Sequence, residues 1–89
     1  MLAANCWADV YELDLVVRRG RTLVFVEVKS KAGPRFGDPL EMVTPVKVER
    51  VHQAAWAWLG ANPALAGLDR RFDVAAERAG RLEVVQDAF

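Results

Sequence analysis

From Val10 to Val17 the chain alternates, with Leu13, Leu15 and Val17 on one side and Glu12, Asp14 and Val16 on the other. That period of two is the signature of a β-strand. Arg18-Arg19-Gly20-Arg21 supplies a turn in which Gly20 is free to take positive φ. Thr22 to Lys29 is rich in β-branched and aromatic residues and predicts the returning strand of a hairpin. Residues 30–43 predict a loop, punctuated by Gly33-Pro34, Gly37 and Asp38-Pro39. Thr44-Pro45 opens a helix, because threonine caps well and proline suits the first helical position. The helix runs to about Asn62, where Pro63 stops it. Val48, Val51, Ala55, Trp58 and Leu59 share one apolar stripe along it, with Lys47 at the edge. Arg71 to Ala76 predicts a third strand, Ala79-Gly80 a turn, and Arg81 to Val85 a fourth strand. Leu2 to Trp7 suits a further short strand before the hairpin. The order (β)ββαββ predicts an α/β fold, a mixed β-sheet packed against at least one helix.

Composition narrows this picture. A chain of 89 residues makes one small domain, and 53% apolar residues argue for a packed core. Twelve basic and twelve acidic side chains cancel, so there is no global attraction to nucleic acid or anionic lipid. Any polyanion contact must come from a local patch. Cys6 is the single cysteine, which excludes an intrachain disulfide and fits a reducing compartment and a small buried side chain. No apolar run approaches the ~18 residues of a membrane span. The first five residues have neither a basic region nor a long apolar one, so no secretory signal is expected and the expected location is cytoplasmic.

The hairpin carries the candidate chemistry. A two-residue loop at Arg19-Gly20 sets Asp14 opposite Phe25, and a four-residue loop from Arg19 to Thr22 sets it opposite Glu27. In either register Asp14, Glu27 and Lys29 share a face, joined by Glu12. Leu13, Leu15, Val17, Val24, Val26 and Val28 form the other face, the expected core face. Like charges on opposed strands destabilise. A hard divalent cation such as Mg²⁺ or Mn²⁺ relieves them, held by Asp14 and Glu27 with the Val28 carbonyl as a further oxygen ligand. Lys29 then orients a water or stabilises charge on a phosphate, a set suited to metal-assisted phosphodiester hydrolysis. Spacing alone more often describes a solvated strand face with a surface ion pair. Two features favour chemistry. Glu27 ends a run, Leu23 to Val26, that is apolar on both faces and therefore looks central, and the loop after Lys29 is long for a plain connection.

These residues resemble the YraN family of bacterial proteins. The resemblance rests on Tyr11-Glu12-Leu13-Asp14-Leu15, Leu23 through Lys29, Phe36-Gly37-Asp38-Pro39, Val43-Thr44-Pro45-Val46-Lys47, Arg71-Phe72-Asp73-Val74 and Gln86-Asp87-Ala88-Phe89. That family is similar to archaeal Holliday-junction resolvases and is placed in the PD-(D/E)xK nuclease superfamily. The resemblance implies a restriction-endonuclease-like core of order αβββαβ. It also implies that Asp14 and Glu27 bind metal, that Lys29 is catalytic, and that Glu12 is the acidic residue of a Glu-x-Asp motif. Family members usually begin with a helix carrying a glutamate that, in the resolvases, helps complete the metal site. This chain starts too late to include it, so residues 1–89 are expected to be a single endonuclease-like domain, N-terminally incomplete relative to the family. The family helix usually reads Pro-x-Lys-Gln, whereas Lys47 is followed here by Val48.

Lys31, Arg35 and Lys47 lie near the expected site in chain order and are candidates for a nucleic-acid backbone. Arg18, Arg19 and Arg21 crowd the hairpin turn, where solvated charge is the commoner role. His52 belongs at the edge of the helix stripe as a packed or partly exposed residue. Trp56, on the flank of that stripe, is a candidate surface for the family's first helix or for a second copy in a homodimer. The expectation is a divalent-metal-dependent nuclease-like protein acting on DNA, with branched or damaged DNA among its candidate substrates. An inactive nucleic-acid-binding module and a protein-interaction scaffold are the alternatives.

Overall fold

A computed structural model describes residues 2–8, 11–30, 44–78 and 80–89; for Cys6, Ala8, Tyr11, Lys29, Ser30, Glu77 and Arg78 it describes the backbone alone. Five strands and one long helix follow the predicted order: β1 (Ala3–Ala8), β2 (Tyr11–Arg19), β3 (Thr22–Ser30), α1 (Pro45–Ala61), β4 (Asp69–Arg78) and β5 (Arg81–Val85). The strands lie side by side in chain order. All neighbours are antiparallel except β3 and β4, which α1 links as parallel strands. The sheet is thus mixed and flanked by one helix, an α/β arrangement consistent with the restriction-endonuclease-like expectation.

The hairpin keeps the register of the four-residue alternative, but its loop closes to two residues, one position on from the two-residue loop considered from sequence. Arg19 pairs with Thr22, leaving Gly20-Arg21 as a two-residue loop, with Gly20 at φ +60°. The pairing continues through Val17↔Val24 and Leu15↔Val26. This is the register in which Asp14 falls level with Glu27.

Helix α1 starts and stops as its sequence dictates. Thr44 Oγ1 accepts the Lys47 N–H at 3.2 Å and Pro45 takes the first position. At the other end the Asn62 amide donates to the Trp58 carbonyl at 2.9 Å, and a 3₁₀ turn begins at Pro63. Val51, Ala54, Ala55, Trp58 and Leu59 are buried. They pack on Leu13, Val16, Leu23, Phe25 and Phe72 of the sheet. Phe25 is the centre of this core, stacked on Phe72 at 5.2 Å and meeting Trp58 edge-on at 5.8 Å.

The covered face differs from the expected one. On β3 the helix lies over Leu23 and Phe25, the face that continues to Glu27, while Val28 on the opposite face is 42% exposed. The face carrying Leu15, Val17, Val26 and Val28 is therefore the helix-free one, although Val24 is buried there. Both faces of β3 are apolar over most of its length. The face with Leu23 and Phe25 holds the bulkier side chains, and their burial against Trp58 and Leu59 removes more apolar area from water.

A clamp holds the C-terminal tail to β4. Asp73, 3% exposed, receives Arg71 Nε and Nη2 at 2.9 and 3.0 Å and the Asp87 N–H at 3.0 Å. The Ala88 N–H adds a bond to the Phe72 carbonyl at 2.7 Å. The hydrogen bond to Asp73 raises the Arg71 pKa above the usual guanidinium value, and the Coulomb attraction of Asp73 and Asp87 adds to it against desolvation. A raised folded-state pKa on a cation contributes stability that is complete below the unfolded value and lost only as pH rises through the folded one, here in strong alkali. Asp73→Ala removes all three bonds and should cost about 2 kcal/mol, or about 10 °C in Tm by calorimetry. An unchanged Tm would show the clamp to be incidental.

Candidate active site on the hairpin

Asp14 sits where β2 stops pairing regularly with β3. Leu15↔Val26 is the last paired position toward this end. Val28, two residues on, turns the same backbone edge toward β2. Its N–H donates to Asp14 Oδ2 at 2.9 Å, so a carboxylate stands where a main-chain acceptor would continue the ladder. The alternation of β2 slips at this point: Leu13 and Val16, three residues apart, both belong to the helix-side core. Across on β1, the residue between the pairs Ala4↔Leu15 and Cys6↔Leu13 is Asn5, at φ +49°. Left-handed backbone at a non-glycine residue is uncommon, and asparagine is among those that tolerate it best. Such irregularities re-aim side chains at strand ends. Ala4, Asn5, Asp14, Leu15 and Val28 line a hollow of about 370 Å³ here.

Glu27 is buried on the helix side, only 3% exposed, next to Phe25 along the strand and level with Val74 of β4. Lys47 Nζ approaches Glu27 Oε2 at 3.6 Å from the first turn of α1. The same N-cap that starts the helix therefore sets the height of Lys47, since the Lys47 N–H is the donor to Thr44. The helix N-terminus adds a favourable partial charge to a carboxylate placed there.

The structure thus brings Asp14 to the amide that follows Glu27, and Glu27 to Lys47, but not the two onto one face as expected: Asp14 lines a hollow with Leu15 and Val28 of the helix-free face, and Glu27 lies on the helix side. Glu12 is half-buried and pairs with Trp7, two residues before Asp14. The Lys29 backbone pairs with Ala76 on β4, while its side chain lies outside the described residues. Lys31 and Arg35, proposed for nucleic-acid contact, lie outside them as well. Asn5 was not foreseen. The available signal was an asparagine inside a short apolar strand, which has no meaning until its cross-strand neighbour is known.

Among the described residues, the candidate ligands on this end of the hairpin are hard oxygens: the carboxylates of Glu12, Asp14 and Glu27 and the Val28 carbonyl. Among the described residues no group of three or more His, Cys, Asp or Glu side chains gathers to hold a metal. A model of the uncharacterised protein family UPF0102 matches residues 1–76. The chain belongs to that family. UPF0102 is the YraN family, so the family membership read from the sequence is borne out. A UPF0102 protein of Saccharophagus degradans is 40% identical over 88 residues, covering 99% of this chain and 75% of that protein. One of Geotalea daltonii is 41% identical over 94 residues, covering 100% and 73%. One of Acidothermus cellulolyticus is 52% identical over 59 residues, covering 66% and 45%. The chain spans about three quarters of the first two relatives and under half of the third. The UPF0102 match runs from β1 into β4 and contains Asp14, Glu27, Lys29 and Lys47. Among the described residues, no helix is long and apolar enough to cross a membrane.

Proposed function

We propose that this UPF0102 member is a divalent-metal-dependent nuclease-like protein that hydrolyses phosphodiester bonds in DNA. The observation that carries the reading is Glu27, a carboxylate 3% exposed on the face that buries Leu23 and Phe25. A buried charge is costly even when paired, and an apolar side chain at this position would extend the core without that cost. Buried ionisable groups of this kind cluster at functional sites. Asp14, seated on the very next amide, is the second acidic group.

The donor set fits Mg²⁺ or Mn²⁺, which accept one or two carboxylates and complete their shells with water and substrate phosphate. When bound, such an ion polarises a phosphoryl oxygen and lowers the pKa of a bound water. Asp14 and Glu27 would hold it, with the Val28 carbonyl as the third ligand. The Val28 N–H fixes one oxygen of Asp14, and Lys47 balances the charge of Glu27. Lys29, two positions along β3, is assigned to orient the attacking water. Lys31, Arg35 and Lys47 are assigned to the DNA backbone, on a chain of zero net charge.

Calorimetric titration with Mg²⁺ and Mn²⁺ tests the assignment. Wild type should bind one ion, and Asp14→Asn should weaken binding at least about tenfold. Equal metal affinity in the two proteins removes Asp14 from the site. Salt-dependent DNA binding with no cleavage in either metal would leave a binding module on the same fold.

A further inference from the structure

His52 and Trp56 stand one turn apart on the same side of α1. Both are exposed, Trp56 at 69%. Both are nonetheless held in place. His52 stacks on Phe72, with ring centres 4.2 Å apart and planes 18° from parallel. The Arg70 guanidinium lies 5.3 Å from the centre of the Trp56 ring. Between the two rings is a hollow of about 550 Å³, with Gln53, Arg70 and Phe72 among its walls. That volume is in the range of small-molecule sites. Its lining includes three aromatic rings (His52, Trp56 and Phe72), an amide and a guanidinium.

The surrounding charge has one sign in excess. Arg70 is paired with Leu23 at the start of β4, and the Asp69 N–H donates to the Arg21 carbonyl at 2.9 Å. The exposed side chains of Arg19 and Arg21 belong to the same end of the sheet as Arg70, with Arg19 and Asp69 one position off its face. The acid at the hollow is Glu49, which accepts from Gln53 at 3.4 Å. Arg70 is the arginine that the structure sets beside the exposed Trp56.

The geometry points to a binding site for single-stranded nucleic acid, in which one unpaired base enters the hollow between His52 and Trp56 and Arg70 contacts the adjoining phosphate. Base–aromatic stacking is tolerant of sequence, and arginine serves both the ring and the phosphate. The site is distinct from the hairpin site. Leu23 and Glu27 are four residues apart on β3, about 13 Å. Lys47 and Trp56 are nine apart on α1, again about 13 Å. That span is about four stacked steps of a nucleic-acid strand. This inference goes beyond the proposed hydrolysis and requires no metal.

The test is fluorescence anisotropy with a labelled fifteen-nucleotide oligothymidylate in EDTA at low salt, beside an abasic strand of equal length and charge. Trp56→Ala should weaken oligothymidylate binding about tenfold or more, and Trp56→Phe should retain most of it. The abasic strand should bind weakly and ignore Trp56→Ala. Arg70→Gln should weaken both strands and lower the salt slope by about one. Circular dichroism confirms folding, which substitution of so exposed a residue should not disturb. Equal binding by wild type and Trp56→Ala overturns the proposal, as does equal affinity for the abasic strand or no binding at all. Sedimentation that shows a dimer dispersed by Trp56→Ala would also overturn it, assigning the patch to a second copy. Because EDTA is present, failure here leaves the hydrolytic reading standing, and loss of cleavage chemistry leaves this site standing.

Discussion

Glu27→Gln is expected to lower Mg²⁺- or Mn²⁺-dependent DNA cleavage by at least about a hundredfold while the domain stays folded. The substitution keeps the shape of the side chain and removes its charge. Lys47, one-third exposed, can turn its ammonium to water when that charge is gone. Stability should therefore hold or rise. Glu27→Leu should be as inactive and more stable by about 1 kcal/mol, because a buried carboxylate is replaced by a side chain that continues the Leu23–Phe25 face. Lys47→Ala should do the reverse and destabilise by about 1–3 kcal/mol, since it strips a countercharge from a carboxylate that stays buried. Urea unfolding of the three variants beside a plasmid-nicking assay reads both effects. Cleavage at the wild-type rate in Glu27→Gln would end the assignment of Glu27 to the metal. Activity lost only in proportion to stability would make the residue structural.

Phe25→Ala should be the most damaging single change to the fold. The ring is 1% exposed and touches both Phe72 and Trp58, so its removal opens a cavity where β3, β4 and α1 meet. Large-to-small changes of this kind cost about 3–5 kcal/mol. A domain of this size has about 4–13 kcal/mol in total, so the variant should lose a large share of its stability. Phe25→Leu, which keeps most of the volume, should lose less than about 1.5 kcal/mol. The urea midpoint at unchanged m-value checks both. A small shift for Phe25→Ala would mean that Trp58 or Leu59 moves in to fill the space, and that α1 is less firmly set on the sheet than its contacts indicate.

The two effects are connected. Phe25 and Glu27 occupy successive positions on one face of β3, both under α1. The packing that fixes the helix on Phe25 also sets where Lys47 meets Glu27. A core substitution that lets α1 shift should therefore change metal affinity as well as stability. The charged pair and the aromatic core are one layer of structure with two uses.

Much of this was written in local pattern. The alternation around Leu13 to Val17, the capping pair Thr44-Pro45, the stop at Pro63 and the apolar run of Leu23 to Val26 each follow from short-range sterics and periodicity. They were sufficient for the order of elements, the hairpin and the central position of β3, and they pointed to Glu27 as a charge at the end of a buried strand. Where the pattern misled was the face of β3 that the helix covers: the face with Val24, Val26 and Val28 was expected, but both faces are apolar and a period of two does not distinguish them. That choice was made over a long connection, by the bulk of Phe25 and Phe72 meeting Trp58. The junction of Asn5 with Asp14, the reach of Lys47 to Glu27, the stacking of His52 on Phe72, the approach of Arg70 to Trp56 and the tie of Asp73 to the Asp87 amide likewise join residues distant in the chain or on separate elements. Propensity acts over a few neighbours, whereas these contacts exist only after the sheet has closed, and so the tertiary structure alone decided them.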